Sequence, residues 1–211
     1  MRPIRVVLGD DHTLVRQGIK ALLASSTIHV VAEAANGREL IKHTARLRPD
    51  IALVDISMPL LNGIETTRRI AKIAPRTRVI ILSMYEDKEY VAHARQLGAW
   101  GYVLKEEAPE RLVGAIRAVQ RGRQCFPKWS ASGDSATVDE RLTPREREVL
   151  QLIAEGKKSR EIAQIMTRSL HTVRNHRARL MKKLGVHGAV ELVRAAEELG
   201  LVHLEPAGGK R

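Results

Sequence analysis

Only one cysteine, Cys125, occurs in the 211 residues, so no disulfide forms within the chain and no cysteine-rich zinc site can be built. Aromatic residues make up 3%, which leaves aliphatic side chains to fill any interior. Long apolar runs are missing as well. The opening MRPIRVVLGDDHTL holds a five-residue stretch, IRVVL, followed closely by two acids, too short and too polar for a secretory signal or a membrane span. The histidines are dispersed with no pair at metal-ligand spacing, and His12, His43 and His93 read as surface residues. There is no glycine-rich phosphate loop of the Walker or dinucleotide type. A reducing, cytoplasmic setting without membrane contact is therefore expected.

What is present suffices for one or two folded domains, with 44% hydrophobic residues. The net charge of +12 suggests a polyanionic partner. Its distribution does not single out either half: residues 1–125 hold 20 Lys+Arg against 13 Asp+Glu, or +7, and residues 126–211 hold 16 against 11, or +5. A local count is sharper. From Arg168 to Lys183 there are six basic residues and no acid.

Residues 1–121 alternate apolar runs with amphipathic stretches five times. Ile4 to Leu8 reads as a strand, and Leu14, Val15, Ile19, Leu22 and Leu23 then recur at helical spacing. Val30 to Ala34 gives a weaker strand before a helix around Leu40, Ile41 and Leu47. IALVD and VIILS are continuous runs of the kind that suits a sheet covered on both faces, and GYVLK is the last of the series. Five strand-helix units imply a doubly wound parallel sheet. Residues 122–138, GRQCFPKWSASGDSATV, lose all periodicity and read as a linker, and residues 205–211 as a frayed tail.

Residues 139–204 carry helical signals alone. Thr143-Pro144-Arg145-Glu146 has the form of a capping box opening a helix with Val149, Leu150 and Ile153 inward. Ser159 can cap a short second helix bearing Ile162, Ala163, Ile165 and Met166, and Ser169 a third that stops at Gly185. Ala189 to Leu199 makes a fourth. Two short helices joined by a tight turn, the second strongly basic, form a helix-turn-helix, which gives the basic run a purpose.

In an open parallel sheet the downstream strand ends share one edge, where ligands bind. Asp10 and Asp11 follow the first run, Asp55 closes IALVD, Ser83 closes VIILS and Lys105 closes GYVLK. Three carboxylates, a hydroxyl and an ammonium in one pocket suit a divalent hard cation and a phosphoryl group.

DDHTLVRQGI, DISMPLLNGIE, ILSMYEDKEYV and GAWGYVLKE resemble the receiver domain of bacterial response regulators. LTPREREVLQLIAEGKKSREIA and HTVRNHRARLMKKLGV resemble the LuxR-type helix-turn-helix of the NarL/FixJ class. The resemblance spans nearly the whole chain apart from linker and tail. It implies an α/β receiver, a five-stranded parallel doubly wound sheet of order 2-1-3-4-5, followed by an all-α four-helix DNA-binding domain. Asp55 would be the phosphoacceptor, with Asp10, Asp11, Asp55 and the backbone carbonyl of Ser57 holding Mg²⁺. Ser83 and Lys105 would meet the phosphoryl group, and Met58-Pro59 and Asn62-Gly63 would shape the loop after the acceptor. Tyr102 stands at the switch aromatic of the pattern, although an aromatic in a buried strand also reads as core. A sensor histidine kinase would be the phosphodonor; the receiver would assist its own phosphorylation and dephosphorylation rather than act as an enzyme on other substrates.

The same resemblance assigns the promoter-binding face. Ser169, His171 and Thr172 start the recognition helix, where amides and short hydroxyls suit phosphate. Arg174 and Asn175 follow on its outer face, matched to guanine and adenine. Arg177, Arg179, Lys182 and Lys183 serve the phosphate backbone or remain solvated. Ala178 falls where some members carry a longer base-contacting side chain. Arg168 departs from the usual apolar residue and either contacts phosphate or loosens the turn. The last helix, through Ala189, Leu192, Val193 and Ala196, is expected to join two copies over two half-sites. RNA polymerase is a further candidate partner.

Two rival readings share parts of this pattern. A metal-dependent phosphohydrolase or phosphotransferase would use the acidic cluster, but no second general acid or substrate-specificity insertion accompanies it. A phosphate-independent dimerisation module would leave the acids, Ser83 and Lys105 without a task.

Overall fold

The computed structural model describes residues 2–24, 26–84, 86–127, 129 and 142–202. The chain divides into two compact units, residues 1–138 and 139–211. The expected tail, 205–211, and most of the expected linker, 128 and 130–138, lie outside the described residues.

Among the described residues of the first unit five strands, β1 (Ile4–Gly9), β2 (Ile28–Ala34), β3 (Ile51–Asp55), β4 (Arg78–Ser83) and β5 (Ala99–Leu104), alternate with five α-helices. These are α1 (Thr13–Ala24), α2 (Gly37–Leu47), α3 (Gly63–Ile73), α4 (Lys88–Gln96) and α5 (Ala108–Gln120). All strand pairs are parallel and their order is β2-β1-β3-β4-β5, the doubly wound sheet expected of a receiver. The period-two alternation of side chains explains why the runs are apolar throughout. Val7, Ala52, Val54 and Ile81 face one core with Leu40 of α2, Ile64 and Ile70 of α3, and Val91 of α4. Val6, Leu8, Ile51, Leu53, Ile80 and Leu82 face the other, with Ile19 and Leu23 of α1 and Leu112 and Ile116 of α5. Each such buried Val, Leu or Ile side chain contributes about 1.5–3 kcal/mol.

Local chemistry sets the helix starts beside the sheet's carboxyl edge. Asn36 and Asn62 each accept a hydrogen bond, 2.9 Å, from the backbone N–H three residues on, Glu39 and Glu65 respectively. Leu60, just before that second cap, has φ of 64°, a left-handed conformation a branched side chain rarely takes. The loop after Asp55 is therefore strained as well as capped.

The segment read as linker begins inside this unit. After α5 the chain turns at Gly122 and runs back beside β5, where Cys125 bridges Gly101 in parallel. Tyr102 N–H donates to the Cys125 carbonyl and Cys125 N–H to the Trp100 carbonyl, both at 2.9 Å. Phe126 lies under the Arg95 guanidinium, 4.3 Å from its ring centroid. One pair of hydrogen bonds at a sheet edge leaves no periodic trace in sequence.

The second unit holds α6 (Pro144–Ala154), α7 (Ser159–Met166), α8 (Leu170–Leu184) and α9 (Ala189–Glu198). Thr143 and Glu146 form the capping box on α6, Ser169 Oγ caps α8 by accepting from Thr172 N–H at 3.1 Å, and Gly185 ends α8 at φ of 67°. At α7 the sequence expectation is corrected. Lys158 occupies the cap, and the Glu161 carboxylate supplies the acceptor by reaching back to the Lys158 N–H at 2.7 Å, so Ser159 is the first helical residue. Val149, Leu150, Leu152, Ile162, Val173 and Leu180 fill the interior. So do Leu192 and Ala196, both fully buried. That corrects their reading as dimer contacts: the apolar stripe of α9 is spent on its own unit, and Ala189 and Val190 are the exposed positions, with Val193 half-buried.

Candidate functional site

Strand register brings the polar strand ends together. Gly9 pairs with Val54 and Asp55 with Leu82, while Ser83 pairs with Leu104. Asp10, Asp55, Ser83 and Lys105 therefore stand at or just past the ends of four adjacent strands. Lys105 Nζ lies 2.8 Å from Asp10 Oδ2 and 3.0 Å from Asp55 Oδ2, and all three side chains are buried. Asp11, a third exposed, completes the acidic group beside them. Ser57 N–H donates to Asp55 Oδ1 at 3.4 Å.

Asp55 is pushed up from the ordinary 3.8 to about 6, first by burial, then by the neighbouring Asp10 charge, with Lys105 working the other way. Burial alone would pull Lys105 down, but the Asp55 and Asp10 carboxylates outweigh it and the ammonium is held above its usual range. Lys105 meets the Asp10 and Asp55 carboxylates, while the Arg16 guanidinium donates to the Asp10 carbonyl at 2.7 Å and leaves the carboxylate oxygens to other partners. One carboxylate oxygen from each of Asp10, Asp11 and Asp55, with a ring nitrogen of His12, lie within 4.8 Å of one another. Opposite ligands of Mg²⁺ stand about 4.2 Å apart, so this hard oxygen set fits that ion with small adjustment. Beyond Lys105, Oδ2 of Asp10 and Oδ2 of Asp55 have no hydrogen-bond partner among the described residues, which is a second feature a cation would complete.

Ser83 and Tyr102 are brought together on adjacent strands. Tyr102 is turned inward, 2% exposed, and is hydrogen-bonded to Ser83; burial pushes its phenol up to about 12. The aromatic is thus both core and a neighbour of the pocket's hydroxyl. His12, read from sequence as a surface residue, is exposed yet places Nδ1 2.8 Å from Asp11 Oδ1 and 3.4 Å from Asp10 Oδ1. His43 and His93 are half-buried rather than superficial. His12 gains its carboxylate neighbours from the turn at the end of β1, and His43 lies 3.7 Å from Glu39 one turn earlier on α2.

On the second unit, α8 buries Val173 and Leu180 and exposes His171, Arg174, Asn175, Ala178, Arg179 and Lys182. Thr172 and Arg177 are half-buried. Ser169 Oγ is engaged as the cap, and its contact with Thr172 Oγ1 at 2.8 Å fixes both hydroxyls at the helix start. His171 Nε2 and Asn175 Nδ2 are 3.1 Å apart. Lys183 is occupied elsewhere, donating to Glu146 Oε2 at 2.7 Å. Thr167, in the turn between α7 and α8, has φ of 52°. None of the described helices is long and apolar enough to cross a membrane.

Residues 6–117 match the response regulator receiver domain, and residues 140–196 match the bacterial regulatory proteins of the luxR family. The oxygen regulatory protein NreC of Staphylococcus aureus is 36% identical over 209 residues, covering 92% of this chain and 96% of that protein. A structure of the Salmonella typhimurium response regulator RcsB superposes with a TM-score of 0.64 at 30% identity, covering 94% of this chain and 99% of that one. RcsB in complex with DNA gives a TM-score of 0.58, also at 30% identity, over 92% of this chain and 98% of that one. Fold, strand-end pocket, helix-turn-helix and full-length similarity agree: the chain belongs to the response regulators of the NarL/FixJ class, a receiver domain followed by a LuxR-type DNA-binding domain.

Proposed function

We propose that Asp55 accepts a phosphoryl group from a sensor histidine kinase in the cytoplasm and that its modification controls promoter binding by α8. The observation that carries this reading is the Lys105 ammonium, buried within contact distance of both Asp10 and Asp55. Phosphoryl transfer asks mainly for alignment and charge stabilisation. An Asp55 carboxylate oxygen forms the new bond to phosphorus as the donor's N–P bond breaks, and the donor imidazole keeps that electron pair. Lys105 and Ser83 face the phosphoryl oxygens. Mg²⁺ held by Asp10, Asp11, Asp55 and the Ser57 carbonyl would supply Lewis-acid neutralisation of the developing charge.

The modification adds roughly −1.5 to −2 charge at a buried position, enough for one to three charge-assisted hydrogen bonds. Ser83 would turn toward it and take Tyr102 with it. Because Tyr102 N–H holds the Cys125 carbonyl at 2.9 Å, that movement would reach the segment docked beside β5 within the first unit. Ser169, Thr172, Arg177, Arg179 and Lys182 would hold phosphates and Arg174 and Asn175 would meet base edges. Ala189, Val190 and Val193, the outward side of α9, would join two copies over paired half-sites; that a relative, RcsB, has been solved in complex with DNA supports DNA as the partner. The receiver catalyses only its own phosphorylation and dephosphorylation.

The test uses the full chain with a small-molecule phosphodonor. Wild type should take up one acid-labile phosphate and gain operator affinity; Asp55→Asn should do neither while keeping its fold. Label retained by Asp55→Asn, or operator affinity indifferent to phosphodonor, overturns the proposal.

A further inference from the structure

His171 and Asn175 are four residues apart on α8, exposed, and on the side that carries Arg174, Ala178 and Lys182. Their side chains bond to each other, Asn175 Nδ2 to His171 Nε2 at 3.1 Å. An amide nitrogen only donates, so the imidazole Nε2 accepts and the ring proton sits on Nδ1. Among the described residues the Asn175 amide then has its carbonyl oxygen and one N–H unengaged. Those two groups, one acceptor and one donor, match the adenine edge, which offers an N6 donor and an N7 acceptor. With the amide turned over, the oxygen would face the ring and two N–H bonds would point outward, matching the N7 and O6 acceptors of guanine instead.

We infer that His171 is a positioning residue for base recognition, holding the Asn175 amide in the orientation that reads adenine and not guanine. The inference rests on the reading of α8 as the recognition helix. It gives His171 a role apart from phosphate contact at the helix start, and it explains why an exposed polar residue is paired within the helix when both side chains could be hydrated. An i,i+4 side-chain hydrogen bond on an exposed helix biases a conformer by a modest factor, and the bias grows once water leaves the groove.

Selection from random duplexes by the phosphodonor-treated full chain tests it, with wild type, His171→Ala, His171→Gln and Asn175→Ala compared at every position of the half-site. Wild type should select adenine at one position, and Asn175→Ala should lose that preference. His171→Ala should admit guanine there, cutting the adenine-over-guanine ratio about two- to fivefold, with other positions unchanged. His171→Gln, whose amide oxygen accepts the same hydrogen bond, should restore the ratio. An unchanged ratio in His171→Ala overturns the inference while leaving α8 as the reader, and so does a loss spread evenly over all positions. If Asn175→Ala also changes nothing, base reading by Asn175 falls and the inference falls with it.

Discussion

Lys183 Nζ stands 2.7 Å from Glu146 Oε2, and the same oxygen accepts from Thr143 N–H at 2.8 Å and from Thr143 Oγ1 at 2.9 Å. The last turn of the recognition helix is thereby pinned to the capping box that opens α6. A lysine in a basic run would ordinarily be counted among the phosphate contacts, yet this one has a structural acceptor within its own unit.

The two roles differ in what salt does to binding. Removing a phosphate contact lowers the slope of log affinity against log salt by about 1. Lys183→Met, which keeps the apolar stem, should leave that slope unchanged and instead cost about 0.5–1 kcal/mol of stability, a small figure because the side chain is 39% exposed. Lys182→Met, exposed and one residue earlier, should show the reverse. The Lys183 and Thr143 hydrogen bonds hold the Glu146 carboxyl below its ordinary 4.5 against the opposing effect of burial. The pair's contribution is thus present above pH 4.5 and lost as pH falls through the depressed value. Urea unfolding of both variants, with titrations of an operator duplex at several salt concentrations, checks each part.

Asp55 predicts the opposite pH trend for the metal-free receiver. Its carboxyl rises from 3.8 to about 6 on folding, so the native state holds a proton that the unfolded chain has already released. This stabilising contribution is complete below about pH 4 and disappears as pH climbs through 6. A rise of that size corresponds to at most roughly 3 kcal/mol. Without metal, Asp55→Asn should therefore be more stable than wild type at pH 7, by about 1–3 kcal/mol, with the gap closing near pH 4. Mg²⁺ should stabilise wild type at pH 7 far more than Asp55→Asn, and its affinity should fall below pH 6 because the ion competes with the proton. Calorimetric titration with MgCl₂ at pH 5.5 and 7.5 measures the last point, and equal affinity at the two would count against the assignment.

The parts of this molecule that were legible in the sequence are those in which one element speaks for itself. IALVD and VIILS could hardly be anything except strands covered on both sides, and Thr143, Ser169 and Gly185 announce helix ends by their own chemistry. The pocket was legible for a topological reason: parallel strands deliver all their downstream ends to one edge. What stayed hidden depends on partners far along the chain or on direction. Glu146 lies 37 residues from Lys183, beyond the reach of any local pattern. Leu192 and Ala196 advertise an apolar stripe, but a stripe does not say whether its own core or a second copy will cover it. Cys125 docks against β5 through backbone groups, which every residue possesses.

Gly63 offers the strictest test of how the fold supports the acceptor. Its N–H donates to the Ile56 carbonyl at 2.8 Å, and it opens α3 directly behind the Asp55 backbone. A Cβ at this position would lie 2.1 Å from the Asp55 carbonyl oxygen and 2.8 Å from both the Asp55 carbonyl carbon and Ile56 Cα. No side-chain rotation relieves a clash with backbone, so in Gly63→Ala either α3 or the end of β3 must shift. Overpacking of this kind costs about 1–3 kcal/mol. Displacing the acceptor by a fraction of an ångström should also slow phosphate incorporation, by about tenfold or more, since a full ångström can cost on the order of a hundredfold. Gly114→Ala on α5, where a Cβ meets nothing within 4 Å, is the control and should gain about 0.5–1 kcal/mol from helix propensity with no change in labelling rate. Timed incorporation from a small phosphodonor, alongside urea unfolding, separates the two, and a Gly63→Ala protein that labels at the wild-type rate would show that Asp55 tolerates movement of its own backbone.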